Sequence, residues 1–315
     1  MSFEVIINTL QKHPIIILKN GNHSSAEIYA FGGFVNAINV TTTNGLLNVI
    51  DGFTSVEDVI SNASNGFKSS FLSPFTCRMN KGEFAYADAN YKIEHFYLEP
   101  HAIHGLLFDA VYEIIATNSN DTEASVSLKH DYKGNDKGYP FAFSIQHKWV
   151  LKTNNEVSVT TTLIHNNTVA IPYAQGWHPY FNLGSTVDNY TLQFDSNIML
   201  EFDDTLLPTG KYIIRHEFVN EASLHGVFLD NCFELSKAIN QPKSVLTYNG
   251  ISVTIVADNS YPYLQVYTPD HRQSIAIENL SGAPDCFNNG IGLRLIEPNT
   301  STIFTTSYFV SVTNV

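Results

Sequence analysis

ASVSLKHDYKGNDKGYPFAFSIQHKWVLKTNNEVSVTTTL, residues 124–163, decides the fold class. Within it, apolar side chains recur at every second position in three separate runs. Ala124, Val126 and Leu128 alternate with Ser125, Ser127 and Lys129; Ile145, His147, Trp149 and Leu151 form the second run, and Val157, Val159, Thr161 and Leu163 the third. Successive side chains of a strand point to opposite faces, so a period of two predicts strands with one face buried. Lys133-Gly134-Asn135-Asp136 and Asn154-Asn155 separate the runs with turn-forming residues, and Asn20-Gly21 and Pro208-Thr209-Gly210 repeat that chemistry elsewhere. Only Ser55–Asn62, SVEDVISN, predicts a helix, a short one with a Ser able to cap it. Strands at this density imply sheets packed on sheets: an all-β fold, a large antiparallel sandwich or barrel.

The chain has 315 residues, of which 43% are hydrophobic and 12% aromatic, enough to bury a sizeable core. No Pro/Ser-rich linker, charge block or fixed-period repeat divides it, so a single domain spanning residues 1–315 is expected. Lys and Arg number 17 against 30 Asp and Glu, a formal charge of −13. Such a surface repels nucleic acid, disfavours a strongly phosphorylated substrate and suits a neutral ligand. Cys77, Cys232 and Cys286 are odd in number and widely spaced, which suggests neither a disulfide framework nor a thiolate zinc site. The first twenty residues lack a basic segment followed by a long apolar run, and no stretch approaches about 18 apolar residues. A cytoplasmic protein with no membrane partner is the expectation, as monomer or homodimer.

Several polar clusters fall where such a fold places turns or strand ends. Arg78, in SPFTCRMNKGEF, offers a rigid fork of donors suited to hydroxyls or a carboxylate, and reads equally as a surface ion pair. His101 and His104, in HAIHGLLFD, lack a third metal ligand at suitable spacing; either can be structural, and a neutral imidazole can also bond a sugar hydroxyl or ring oxygen. His178, in GWHPYFNL, lies among Trp177, Tyr180 and Phe181, rings on which a sugar's CH faces could pack, in a setting that can tune an acid or base. The alternative is an aromatic core strand with an incidental His. Glu278 follows the apolar Ile275 and Ile277, a costly place for a carboxylate unless it is solvated, paired or functional. Asp230, in FLDNCFEL, is also ordinary turn chemistry.

Taken in order, these segments resemble the aldose 1-epimerase (galactose mutarotase) family from about Ile28 to the C-terminus. The supporting pieces are PF-x-x-R ending at Arg78, His104-Gly105, GYPF at 138–141, GWHPYFNL at 176–183, LLPTG at 206–210 and AIEN-x-x-x-APD-x-FN at 276–288. The resemblance implies a β-supersandwich with a sugar cleft on one concave face. It implies that His178 is the general acid toward the ring oxygen and Glu278 the base toward the anomeric hydroxyl, with Arg78, His104 and Asp230 holding the substrate, a hexose. No cofactor and no metal are implied, since opening a hemiacetal moves only protons. Cys77 stands where many members have Asn, and Leu106 where galactose-specific members often have a second Gly. A less characterised, bacterial-like branch and an unspecified aldose follow from these departures. Other readings are a hexose-6-phosphate 1-epimerase, which would need further cations for the phosphate, a carbohydrate-binding module without catalysis, and a glycosidase, which would need a second carboxylate.

Overall fold

The computed structural model describes residues 3–238 and 241–313. Of the expected domain, residues 1–2, 239–240 and 314–315 lie outside the described residues. Two large antiparallel sheets dominate. The first has nine strands in the order Glu113–Ser119, Glu123–Tyr132, Phe143–Lys152, Glu156–Ile164, Thr302–Val312, Ile251–Ala257, Ser244–Tyr248, Thr191–Phe194 and Ala222–Ser223. The second has eight: Pro208–Ile214, Ile198–Phe202, Asp230–Glu234, Tyr263–Tyr267, Ile275–Leu280, Gly176–Trp177 and Phe71–Leu72 in sequence across the sheet, with Tyr180–Phe181 also paired to Ile275–Leu280. An N-terminal five-stranded sheet, Phe3 to Asn48, packs its first two strands on the nine-stranded sheet.

The three alternating runs form adjacent strands of the nine-stranded sheet, in the register that aligns their apolar positions. Trp149 faces Val126 on one side and Val159 on the other, and His147 lies between Leu128 and Thr161. Those side chains are buried, and Trp149 meets Trp177 of the eight-stranded sheet at 5.1 Å between ring centroids. Phe194 and Phe233 pack across the same interface at 4.5 Å. The core therefore lies between the two sheets, where non-directional burial of apolar area supplies the main driving force. His147, within this core, bonds Thr161 Oγ1 at 3.0 Å and the Tyr112 hydroxyl at 3.2 Å, so both ring nitrogens are satisfied. Burial holds its pKa down to about 3.

The expected helix forms as Val56–Asn62, with the Ser55 hydroxyl accepting from the Asp58 amide at 3.1 Å. Asn154 and Asn155 turn their hairpin with φ of 62° and 56°, the left-handed region that Asn tolerates. Two readings need correction. Pro208-Thr209-Gly210 begins the strand Pro208–Ile214, while the chain reverses just before it, where the Asp203 carboxylate accepts from the amides of Thr205 and Leu207. A second helical turn, Cys286–Asn289, is entered through Asp285 in the left-handed conformation. Among the described residues, no helix is long and apolar enough to cross a membrane.

Candidate active site

The eight-stranded sheet keeps one face for the core and turns the other toward a cleft. Phe233, Leu264, Val266, Ile275 and Ile277 point inward and are fully buried. The alternate positions, Asp230 and Cys232, Gln265 and Tyr267, and Glu278, form the opposite face. Register sets them in rows: Cys232 opposes Gln265, which opposes Glu278, while Asp230 opposes Tyr267 one step along. Trp177 pairs with Asn279 and Tyr180 with Ala276, so the unbroken register between them sets His178 against Glu278. Pro179 has no N–H to give the ladder, although its carbonyl still accepts from Ile277 at 3.2 Å. On its other side, the His178 backbone bonds Ser69 and Ser70.

Arg78 and His104 arrive from a small three-stranded sheet in which Ile103 pairs with Arg78. The His104 backbone is left-handed at φ 62°, an uncommon state for a residue with a Cβ, and its amide donates to the Cys77 carbonyl at 2.9 Å. Gly105 behind it is pressed onto Ser73 so closely that a Cβ would lie 2.2 Å from the Ser73 carbonyl oxygen. This contact fixes where the His104 ring enters the cleft. The cleft encloses about 340 Å³ and is lined by Arg78, His104, His178, Asp230, Gln265 and Glu278 on its polar side. Phe67, Phe96, Leu98, Phe202 and Leu206 make it apolar elsewhere. Roomier hollows occur near residues 193–245 and 80–92, about 480 and 520 Å³, but neither gathers such a cluster.

At the centre, His178 Nε2 lies 3.3 Å from Glu278 Oε1, with both side chains buried. Burial raises the Glu278 carboxyl well above its usual range; the neighbouring Asp230 charge adds to the rise and Arg78 opposes it. Burial lowers His178 to about 4, and holds His104 well below its ordinary value with help from His178 and Arg78. Asp230 is raised by burial, partly offset by Arg78 and by a 2.7 Å bond from Gln265 Nε2. Burial thus disfavours the charged form of each partner, the carboxylate of Glu278 and the imidazolium of His178. His178 Nδ1, His104 Nδ1 and Gln265 Oε1 are buried without hydrogen-bond partners.

The model of the family described as aldose 1-epimerase matches residues 14–308. The chain belongs to the aldose 1-epimerase family. It is 26% identical over 302 residues to the uncharacterized protein YihR of Escherichia coli K12, covering 92% of this chain and 94% of that one. The fold is similar to a galactose mutarotase-like protein of Clostridium acetobutylicum, with a TM-score of 0.86, 18% identity and 99% of each chain covered. It is also similar to the galactose 1-epimerase of Lactobacillus acidophilus, with a TM-score of 0.83, 16% identity and 98% of each chain covered. The GalM/aldose epimerase homologue of C. elegans gives 0.83 at 19% identity, over 96% of this chain and all of that one (100%). The galactose mutarotase-like β-sandwich is thus the fold of this family member.

The five residues to which the resemblance assigns roles, Arg78, His104, His178, Asp230 and Glu278, line one cleft of this aldose epimerase fold. His101 does not: it lies outside the cleft lining, with Nδ1 accepting from the Lys81 amide at 3.1 Å. Of the three rings around His178, only Tyr180 lines the cleft. Trp177 and Phe181 turn inward, toward Phe71 and Tyr308 respectively. Gln265 escaped notice, although a Gln inside the apolar strand YLQVY is the kind of buried polar residue that asks for an explanation. Cys77 touches Glu278 Oε2 with its thiol at 4.0 Å, a contact that no local pattern announces. Among the described residues, no three His, Cys, Asp or Glu side chains converge as a metal-binding group.

Proposed function

We propose that this protein is an aldose 1-epimerase, acting as one cytoplasmic domain without a cofactor and interconverting the α and β anomers of a free hexose. The observation that carries the proposal is the buried 3.3 Å contact of His178 with Glu278 inside a cleft that also holds Arg78, His104 and Asp230. Glu278, as carboxylate, removes the proton from the anomeric hydroxyl. His178, as imidazolium, gives its proton to the ring oxygen as the C1–O5 bond breaks and its electron pair passes to O5. The carbonyl forms at C1 from the O1–H electrons, leaving a protonated Glu278 and a neutral His178. These two protonation arrangements differ only in which partner holds the shared proton. After rotation about C1–C2, the reverse transfers close the ring on the other face and restore the starting state.

Each positioned transfer is worth about 10²–10⁴-fold. Arg78 and His104 favour the developing charge on the sugar oxygens, and Asp230, braced by Gln265, accepts from hydroxyls further round the ring. Among the described residues, Arg78 is the one permanent cation lining the cleft, which supports a free sugar over a phosphorylated one. Polarimetry across free and 6-phosphorylated aldoses tests this directly. Mutarotation of a free hexose well above the buffer rate is expected. Faster catalysis on the phosphate would reassign the substrate, and sugar binding without any rate enhancement would leave only a carbohydrate-binding role.

A further inference from the structure

A general acid that must give up a proton and take it back needs a ring that keeps its orientation in both states. Histidines in such roles are commonly held by a hydrogen bond to the nitrogen that does not react. No other residue gives His178 that support: among the described residues its buried Nδ1 has no hydrogen bond to another side chain or backbone and only its own backbone nearby, while Nε2 meets Glu278. What does hold the ring is aromatic. Tyr180 lies against the imidazole face with centroids 5.0 Å apart and planes 21° from parallel, while His104 meets it edge-on at 5.0 Å and 88°. Both Tyr180 and His178 are buried.

Tyr180 lies two positions after His178, which brings both side chains to the same face. The Tyr180 backbone is tied down independently, paired with Ala276 on one side, while its carbonyl accepts from the Asp51 amide at 2.9 Å on the other. Asp51 is itself held by Lys68 at 2.7 Å and by the Ser274 hydroxyl at 2.7 Å. The stacked ring thus stands on a braced support. A π face also attracts a cation, so the stack favours the imidazolium that burial opposes.

From this arrangement we infer that Tyr180 is a positioning residue: its ring, by stacking, sets the orientation of His178 and supports its protonated form where no other residue bonds Nδ1. The inference rests on the assignment of His178 as the acid. The ring carries the role, so Tyr180→Phe retains most of the turnover, within about five-fold, whereas Tyr180→Leu loses about 10²-fold in kcat with KM little changed, the scale of a small misplacement of a reacting group. The acid limb of the kcat profile also moves to lower pH in the Leu variant, since the imidazolium has lost its π face.

The decisive experiment combines polarimetric kinetics of the two variants with ¹⁵N NMR of the His178 ring. A single ring orientation and tautomer is expected in the wild-type protein and in Tyr180→Phe, and averaging between orientations in Tyr180→Leu. An equal loss in Phe and Leu would transfer the role to the hydroxyl and overturn the inference, as would a Leu variant with near-normal kcat. Should Tyr180→Leu not fold, ring averaging in the wild-type protein would still refute it, and a fixed ring there together with an active Phe variant would uphold it. Failure of the wild-type protein to act on any aldose would refute the epimerase reading instead, while the ring measurements would judge the stacking role separately.

Discussion

Two buried histidines less than one sheet apart show how differently this molecule treats the same side chain. His147, on the core face of the nine-stranded sheet, has a hydroxyl at each nitrogen and three aromatic rings around it. His178, on the cleft face of the eight-stranded sheet, has a buried carboxyl at one nitrogen and, among the described residues, no other residue bonded at the second. Both are held well below the ordinary imidazole pKa by burial, to about 3 and about 4. Depressed pKa and burial therefore do not separate a structural histidine from a reactive one. What sets His178 apart from His147 is the second titratable group, Glu278, beside it.

Substitutions can sharpen that contrast or break it. The largest effect is expected from Glu278→Gln, which keeps the shape but cannot take a proton: mutarotation measured by polarimetry should fall about 10³-fold or more. A variant retaining a tenth of the rate would remove Glu278 from the chemistry. His178→Asn should follow, at about 10²–10³-fold. His147→Asn is the control on the other face: kcat/KM should stay within about three-fold, while the fold loses about 1–3 kcal/mol from hydroxyls left without their partner, read by denaturant titration. If His147→Asn instead silenced catalysis with stability intact, the proposed division between the two faces would be wrong.

Acid sensitivity of the fold comes next. The folded pKa values of His147 and His178 lie below the unfolded value of 6.5, so below pH 6.5 the unfolded chain binds more protons. Stability present above that pH is lost as pH falls toward about 4 and about 3, at about 1.4 kcal/mol per pH unit for each histidine. Melting curves between pH 7 and 4.5 should show the decline, and His147→Asn should make it shallower; an unchanged slope would mean that His147 is not buried neutral. The smallest effect has the opposite sign. Glu278 has a raised folded pKa, so its contribution is fully present below its unfolded pKa of 4.5 and is lost as pH rises through the raised value. Near neutral pH the native carboxyl is a cost, and Glu278→Gln should raise Tm by about 2–4 °C while abolishing activity. A lower Tm would show that Arg78 more than repays the buried charge.

The parts of this architecture that could be read from the sequence are those with local causes. Ala124 to Leu163 carries its alternation in consecutive residues, and Ser55 needs only the next turn to act as a cap. Strand order was not legible: Thr302–Val312 enters the sheet beside Glu156–Ile164, a pairing fixed by packing rather than by any neighbouring pattern. The same limit applies to the site. His178 drew attention through its own motif, but Glu278, which reads as a strand end and in fact lies within Ile275–Leu280, gained meaning only from the resemblance. Their opposition is a property of register between segments a hundred residues apart. Gln265 was missed because its importance lies across the strand, in Asp230 and Glu278. Pro208-Thr209-Gly210 misled because turn-forming residues also begin strands when an Asp just upstream has already reversed the chain.

The two-faced strand pair Tyr263–Tyr267 and Ile275–Leu280 has a consequence for how such a protein can change. Leu264, Val266, Ile275 and Ile277 hold the fold together from one side, while Gln265, Tyr267 and Glu278 line the cleft from the other. A residue exchanged on the ligand side need not disturb the packing behind it. Descent with modification can then retune which sugar is accepted, one position at a time, without each step having to pass through an unstable ancestor.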